Sequence, residues 1–332
     1  MKTKKIVIIT IIIVVFGLIN VYSSSHIWAL YKYNDSFYYI KRQAIFACIG
    51  LVAMYATSRI DYHLYRQYHK SILIGCFVLL ILVLIPGLGV VRGGSRSWFN
   101  LGFFALQPSE LFKIGMIIYG AAYIERNYHR MKKIKYSFPL LFVMGLGFLL
   151  IMLQPDFGSG VVMACSLIVM LIVSPFPFIY FIVLGCLGVV GIVLMIISAP
   201  YRMERILSFL DPFQDPLGSG FQAIQSLYAI GPGGLLGVGF DHSIQKHFYL
   251  PEPQTDFVFA IVAEEYGFIG GILLIGLYLY LFRSVLKMSM EVKDIFGSLL
   301  MIGIISMIGI QTLINLGVVV GLFPVTGVTL YK

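Results

Sequence analysis

Apolar residues in this chain come in long unbroken runs rather than in alternation. Nine such runs stand out, at roughly 6–22, 43–58, 71–91, 109–124, 137–153, 160–174, 178–198, 257–282 and 296–322. Most approach the ~20 residues that a helix needs to cross a bilayer, and their continuity argues against a transmembrane barrel, whose strands alternate. The predicted architecture is all-α: one polytopic membrane domain over 1–332 with about nine transmembrane helices. Between the seventh and eighth runs lies one long segment, 199–256. Its turn-rich DPFQDPLGSG, its apolar QAIQSLYAI and its GPGGLLGVGF suggest an ordered loop lying on the membrane surface.

Charge placement orients the runs. Lys4, Lys5, Arg59, Arg66, Lys70, Arg126, Arg130, Lys132, Lys133, Arg283 and Lys287 lie in 1–5, 59–70, 125–136 and 283–295. Cytoplasmic loops carry such an excess of Lys and Arg, so the N-terminus is expected in the cytoplasm and 23–42, 92–108, 154–159 and 199–256 outside. The net charge of +9 therefore reports topology and not nucleic-acid binding. With 59% hydrophobic and 12% charged residues, the chain contains no candidate soluble domain. MKTKK and the run after it resemble a signal sequence, with SSS at 23–25 in the place of a cleavage site; the further spans favour an uncleaved first helix. Cys48, Cys76, Cys165 and Cys186 all fall in apolar runs, without metal-ligand spacing, and read as small buried hydrophobes.

Ionisable groups inside spans are costly and need a partner or a cavity. Glu110 and Lys113, three residues apart, form either a mutually neutralising pair or part of an anion site. Asp156, in LQPDFGSG, suits a turn or a helix cap. Arg92, Arg96, Arg202 and Arg205 on the outer side run against the positive-inside trend and point to an anionic, phosphorylated ligand. Trp98 beside them also suits an interface-belt aromatic. In YLPEPQTDFVFAIVAEE (249–265), Asp256 opens the eighth run, where a carboxylate is first of all a good helix N-cap and also suits a base held at the membrane boundary. Glu264 and Glu265 lie about 12–14 Å further along the helix. They call for a buried polar partner, for which Lys113 is a candidate.

Four long segments carry a family resemblance: GGSRSWFNLGFFALQPSELFK, LQPDFGSG, RMERILSFLDPFQDPLGSGFQAIQSLYAIGPGGLLGVGF and YLPEPQTDFVFAIVAEEYGFIGG. In this order they resemble the SEDS family of FtsW, RodA and SpoVE, over essentially the whole chain, and more closely its FtsW and SpoVE branch. The resemblance implies a peptidoglycan glycosyltransferase of the bacterial cytoplasmic membrane, serving division, cell shape or sporulation. It would polymerise lipid II, the undecaprenyl-diphosphate-linked disaccharide pentapeptide, beside a class B penicillin-binding protein. It implies that Asp256 is the general base, and that Arg96, Trp98, Gln107, Glu110, Lys113, Gln154 and Asp156 hold the lipid diphosphate or shape its cavity. Arg202, Arg205, Thr255 and Glu264 complete the expected substrate-binding set. No all-protein metal cage is visible, so any divalent cation, Mg or Mn, is expected to arrive with the diphosphate. Two other classes fit the same residues: a flippase for the lipid-linked precursor and a non-catalytic scaffold for the penicillin-binding protein. Family members continue past PVTGVTL into a Gly/Ser-rich stretch and a tenth span. Here YK follows and the sequence stops, so the resemblance implies a missing last helix and puts activity in question.

Overall fold

The computed structural model describes residues 2–330 apart from 93, 103, 198, 199, 326 and 329; the side chains of Arg92, Arg202 and Arg205 also fall outside the description. Each of the nine predicted runs coincides with a helix: α1 (Lys2–Tyr33), α2 (Tyr38–Ser58), α3 (His63–Leu82), α4 (Pro108–Asn127), α5 (Ile134–Met152), α6 (Phe157–Ile172), α7 (Phe178–Ile197), α10 (Val258–Ser289) and α11 (Ile295–Val319). Among the described residues five are long and apolar enough to cross a membrane, namely α1, α2, α5, α10 and α11, while α6 and the 178–191 part of α7 are shorter apolar helices. The long loop contains α8 (Pro200–Leu210) and α9 (Phe221–Gly233).

Two boundaries differ from expectation. The first helix does not stop at 22. It runs on to Tyr33, and Ser23, Ser24 and Ser25 are buried inside it. A serine hydroxyl is tolerated there because it bonds locally or finds a polar partner: Ser24 donates to the Val21 carbonyl, and Ser23 to a carboxylate described below. The third helix ends at Leu82 instead of 91. The segment after it forms a three-stranded antiparallel sheet, β1 (Gly89–Arg92), β2 (Ser95–Asn100) and β3 (Ala105–Leu106), in that order. Gly94, at φ +81, lies in the turn between β1 and β2. The short β-branched and aromatic pieces GVVR and SRSWFN suit strands.

The chain divides into two compact units, 60–186 with 285–310, and 1–59 with 187–284 and 311–332. In the first unit α4 is the hub. Phe112, Met116, Ile117, Ala121 and Ile124 are buried in a core shared with α3, α5 and α6. Glycines let the helices approach: a Cβ on Gly147 of α5 would fall 2.3 Å from the Phe112 ring, and one on Gly115 of α4 would fall 2.8 Å from Cys76 Sγ.

In the second unit α10 is broken at Gly267, at φ 66 and ψ −165. The break frees backbone groups that lipid cannot satisfy, and the glycine-rich loop 233–239 satisfies them instead. Val238 and Gly239 donate to the Glu264 and Glu265 carbonyls, both at 3.0 Å; Phe268 and Ile269 donate back to the Gly234 and Leu235 carbonyls at 2.9 and 3.1 Å. The strands of chain lie so close that a Cβ on Gly237 would sit 2.1 Å from the Glu265 carbonyl oxygen. The motif GPGGLLGVGF is thus a clamp on a broken helix.

Candidate functional site

The predicted residues fall into two sets, one in each unit. In the unit built on α4, Arg96 and Trp98 lie half-buried on β2. Arg96 pairs across to Val91 and Trp98 to Val90. The sheet is anchored by Gln154: Ser95 donates its hydroxyl to the Gln154 carbonyl, and the buried Gln154 amide reaches the Leu80 carbonyl at the end of α3, at 3.3 Å. Gln154 was expected to help hold the diphosphate or shape its cavity; its described bonds join α3, β2 and the α5–α6 turn.

Asp156 is the N-cap of α6, accepting from the Ser159 amide at 3.2 Å. Its other oxygen accepts from Gln107 Nε2 at 2.7 Å and Ser109 Oγ at 3.0 Å, which ties the start of α4 to the start of α6. The cap role foreseen for Asp156 is therefore combined with a bridge to Gln107. Pro108 opens α4 in the position where its missing N–H costs nothing, and Glu110 follows in the first turn, where the helix dipole favours an anion. Lys113, 2% exposed, bonds Glu110 at 2.9 Å, so the neutralising-pair arrangement is realised.

In the other unit Thr255 and Asp256 lie in the turn just before α10, both half-buried. Thr255 N–H and hydroxyl both turn back to the Glu252 carbonyl, at 3.2 and 3.3 Å. The Asp256 carbonyl accepts from the buried amide of Asn315 on α11 at 2.8 Å, and a Cβ on Gly327 would lie 3.9 Å from Asp256 Oδ2. Arg202 and Arg205 belong to α8, with side chains outside the described residues.

Glu264 and Glu265 find partners that the sequence did not indicate. Glu264, fully buried, accepts from the Ser243 hydroxyl and from the Ile244 amide at 2.8 Å. Loop 243–244 thus donates to both of its carboxylate oxygens. Glu265 accepts from Ser23 at 2.6 Å and pairs with Lys246 at 3.1 Å, so Lys246 fills the role for which Lys113 was named. Lys246, 1% exposed, also bonds the half-exposed Asp241, which in turn faces His26 Nε2 at 3.5 Å. The only sequence signal for Lys246 was one more basic residue in the long loop, and for Asn315 an amide inside an apolar run. The cysteines also depart from expectation, since Cys48 and Cys186 are exposed on the helix surfaces and only Cys76 is buried.

The family described as cell cycle protein, FtsW/RodA/SpoVE, matches residues 3–331. The chain belongs to this family. Stage V sporulation protein E of Bacillus subtilis is 50% identical over 337 residues, covering 99% of this chain and 92% of its own. The probable peptidoglycan glycosyltransferase FtsW of a Geobacter species is 36% identical, covering 98% and 89%. A chain solved in a study of how a peptidoglycan synthase complex coordinates polymerization and crosslinking superposes with a TM-score of 0.79 at 30% identity, covering 99% of this chain and 91% of that one. A mutant of the rod shape determining protein RodA of Thermus thermophilus gives 0.70 at 25% identity, covering 98% and 88%. Like other FtsW/RodA/SpoVE members, this chain is a multi-pass helical membrane protein.

Proposed function

We propose that this chain is a peptidoglycan glycosyltransferase that polymerises lipid II at the outer face of the bacterial cytoplasmic membrane, with its N-terminus in the cytoplasm. The observation that carries the reading is Asp256. In a chain whose FtsW relatives are named glycosyltransferases, this carboxylate stands half-buried at the mouth of α10, and its backbone is tied to a buried amide. Asp256 takes the proton from the acceptor sugar hydroxyl. The hydroxyl oxygen bonds to the anomeric carbon of the donor while the bond from that carbon to the diphosphate oxygen breaks. The electron pair leaves with the lipid diphosphate. In the unit that holds Asp256, Arg202 and Arg205 are the basic residues assigned to the diphosphate, with Thr255 beside its path. Among the described residues no three His, Cys, Asp or Glu side chains gather as a metal site. Any divalent cation is carried with the diphosphate as part of the substrate. The partner is a class B penicillin-binding protein that crosslinks the emerging strands.

A flippase would draw on Glu264 and Glu265 as groups along a pathway, yet both are engaged by loop 241–246. Nothing in the site favours that alternative. The test is polymerisation of purified lipid II by the reconstituted chain with its penicillin-binding partner. Glycan strands from the wild type and none from Asp256→Asn are expected. Strands from Asp256→Asn would remove the base, and none from the wild type would overturn the polymerase.

A further inference from the structure

Asn315 sits 1% exposed in α11, a helix of mostly apolar residues. Its Nδ2 lies 2.8 Å from the Asp256 carbonyl oxygen and 2.7 Å from the Val328 carbonyl oxygen. Both neighbours are acceptors, so chemistry fixes the amide orientation: the NH₂ must face them, and its two hydrogens diverge towards two separate stretches of chain. The other end of the amide is left at a loss, because Oδ1 is buried without a hydrogen-bond partner among the described residues. A buried unpaired carbonyl costs on the order of 1–3 kcal/mol. An apolar residue in the same place would avoid that cost, so packing alone does not account for an asparagine. The two donors account for it.

The two carbonyls belong to the segments that border the candidate base. One is the Asp256 peptide itself. The other belongs to Val328, next to Gly327, whose φ of +71 turns the chain so that a Cβ there would come within 3.9 Å of Asp256 Oδ2. The Thr255 amide and hydroxyl of the preceding turn both close on the Glu252 carbonyl. The link to Asn315 spans 59 residues of sequence.

We propose that Asn315 is a positioning residue for Asp256: its amide clamps the Asp256 and Val328 carbonyls together and so fixes the carboxylate relative to the 327–328 segment. The proposal rests on the reading of Asp256 as the base. A base displaced by even 1 Å loses rate on the order of 10²-fold, whereas binding of the donor, which Asn315 does not touch through these bonds, is spared.

The test compares wild type, Asn315→Asp, Asn315→Ser and Asp256→Asn, each as monodisperse protein with its penicillin-binding partner and lipid II. Asn315→Asp keeps the shape and removes both donors; Asn315→Ser keeps one and stands in if the aspartate variant does not fold. The expected result is a kcat lowered by about 10²-fold in Asn315→Asp and by less in Asn315→Ser, with lipid II Kd and KM within about twofold of wild type. Unchanged kcat in the folded variants overturns the proposal. So does a parallel fall of kcat, lipid II affinity and thermal stability, which would mark a merely structural residue. Asp256→Asn separates the two levels: if it still polymerises, the base reading itself fails, and if it is inactive while the Asn315 variants turn over normally, only the positioning role falls.

Discussion

Lys246 and Glu265 form a buried ion pair, 3.1 Å apart, with 1% and 0% of their side chains exposed. Ser23 from α1 bonds the same carboxylate, so three stretches of chain meet on one charge. Removing one member of a buried pair leaves the other uncompensated, at a cost of about 3–5 kcal/mol. Lys246→Met is expected to lower the melting temperature in detergent sharply, and Lys246→Met with Glu265→Gln to recover much of the loss. Equal destabilisation by the single and double variants would show that the pair is not the source.

Gly267 and Gly276 both lie in α10 but in opposite circumstances. At Gly267 the backbone is at φ +66 and a Cβ would fall 2.3 Å from the Gly237 amide nitrogen; at Gly276 a Cβ meets nothing within 4 Å. Backbone strain of this kind alone costs about 1–3 kcal/mol. Gly267→Ala is expected to reduce folded yield and to raise hydrogen exchange across 234–239, while Gly276→Ala leaves both as in the wild type.

Asp156 caps α6 and holds Gln107 and Ser109. Asp156→Ala should cost at least the ~1 kcal/mol of a lost cap, read as a lower melting temperature. Asn in its place can still accept from Ser159, so Asp156→Asn should fall between the two.

Asp215 lies in the DPLGSG turn of the long loop, exposed to solvent. The Ser219 amide and, less strongly, the Ser219 hydroxyl donate to its carboxylate and hold its pKa below the ordinary carboxylate value. A depressed folded pKa means that the ionised form supports the turn above the unfolded value of about 3.9 and that this support fades as pH falls through the lower folded value. Hydrogen exchange at 216–220, corrected for intrinsic rates, should therefore rise relative to the rest of the loop below about pH 4. Asp215→Asn should remove that step.

The helices were legible because the hydropathic signal is local. A chain crossing lipid must satisfy its backbone within each segment, so apolar runs and helices coincide along the whole sequence. The kind of group at each polar break was legible too: Asp156 as a cap and Glu110 beside Lys113 as a pair follow from spacing of a few residues. The sheet at 89–106 was missed because its strands are too short for their alternation to outweigh the neighbouring apolar run. The serines at 23–25 read as a boundary because nothing nearby in sequence could pair with them.

What the sequence by itself determined is the order of helices and the family. What only the tertiary structure decided is who meets whom. Ser23 and Glu265 are 242 residues apart, Asn315 and Asp256 59, Lys246 and Glu265 19. Burial makes a partner obligatory for each of these groups. Which partner it is depends on distances across the folded chain, and no local pattern of residues encodes them.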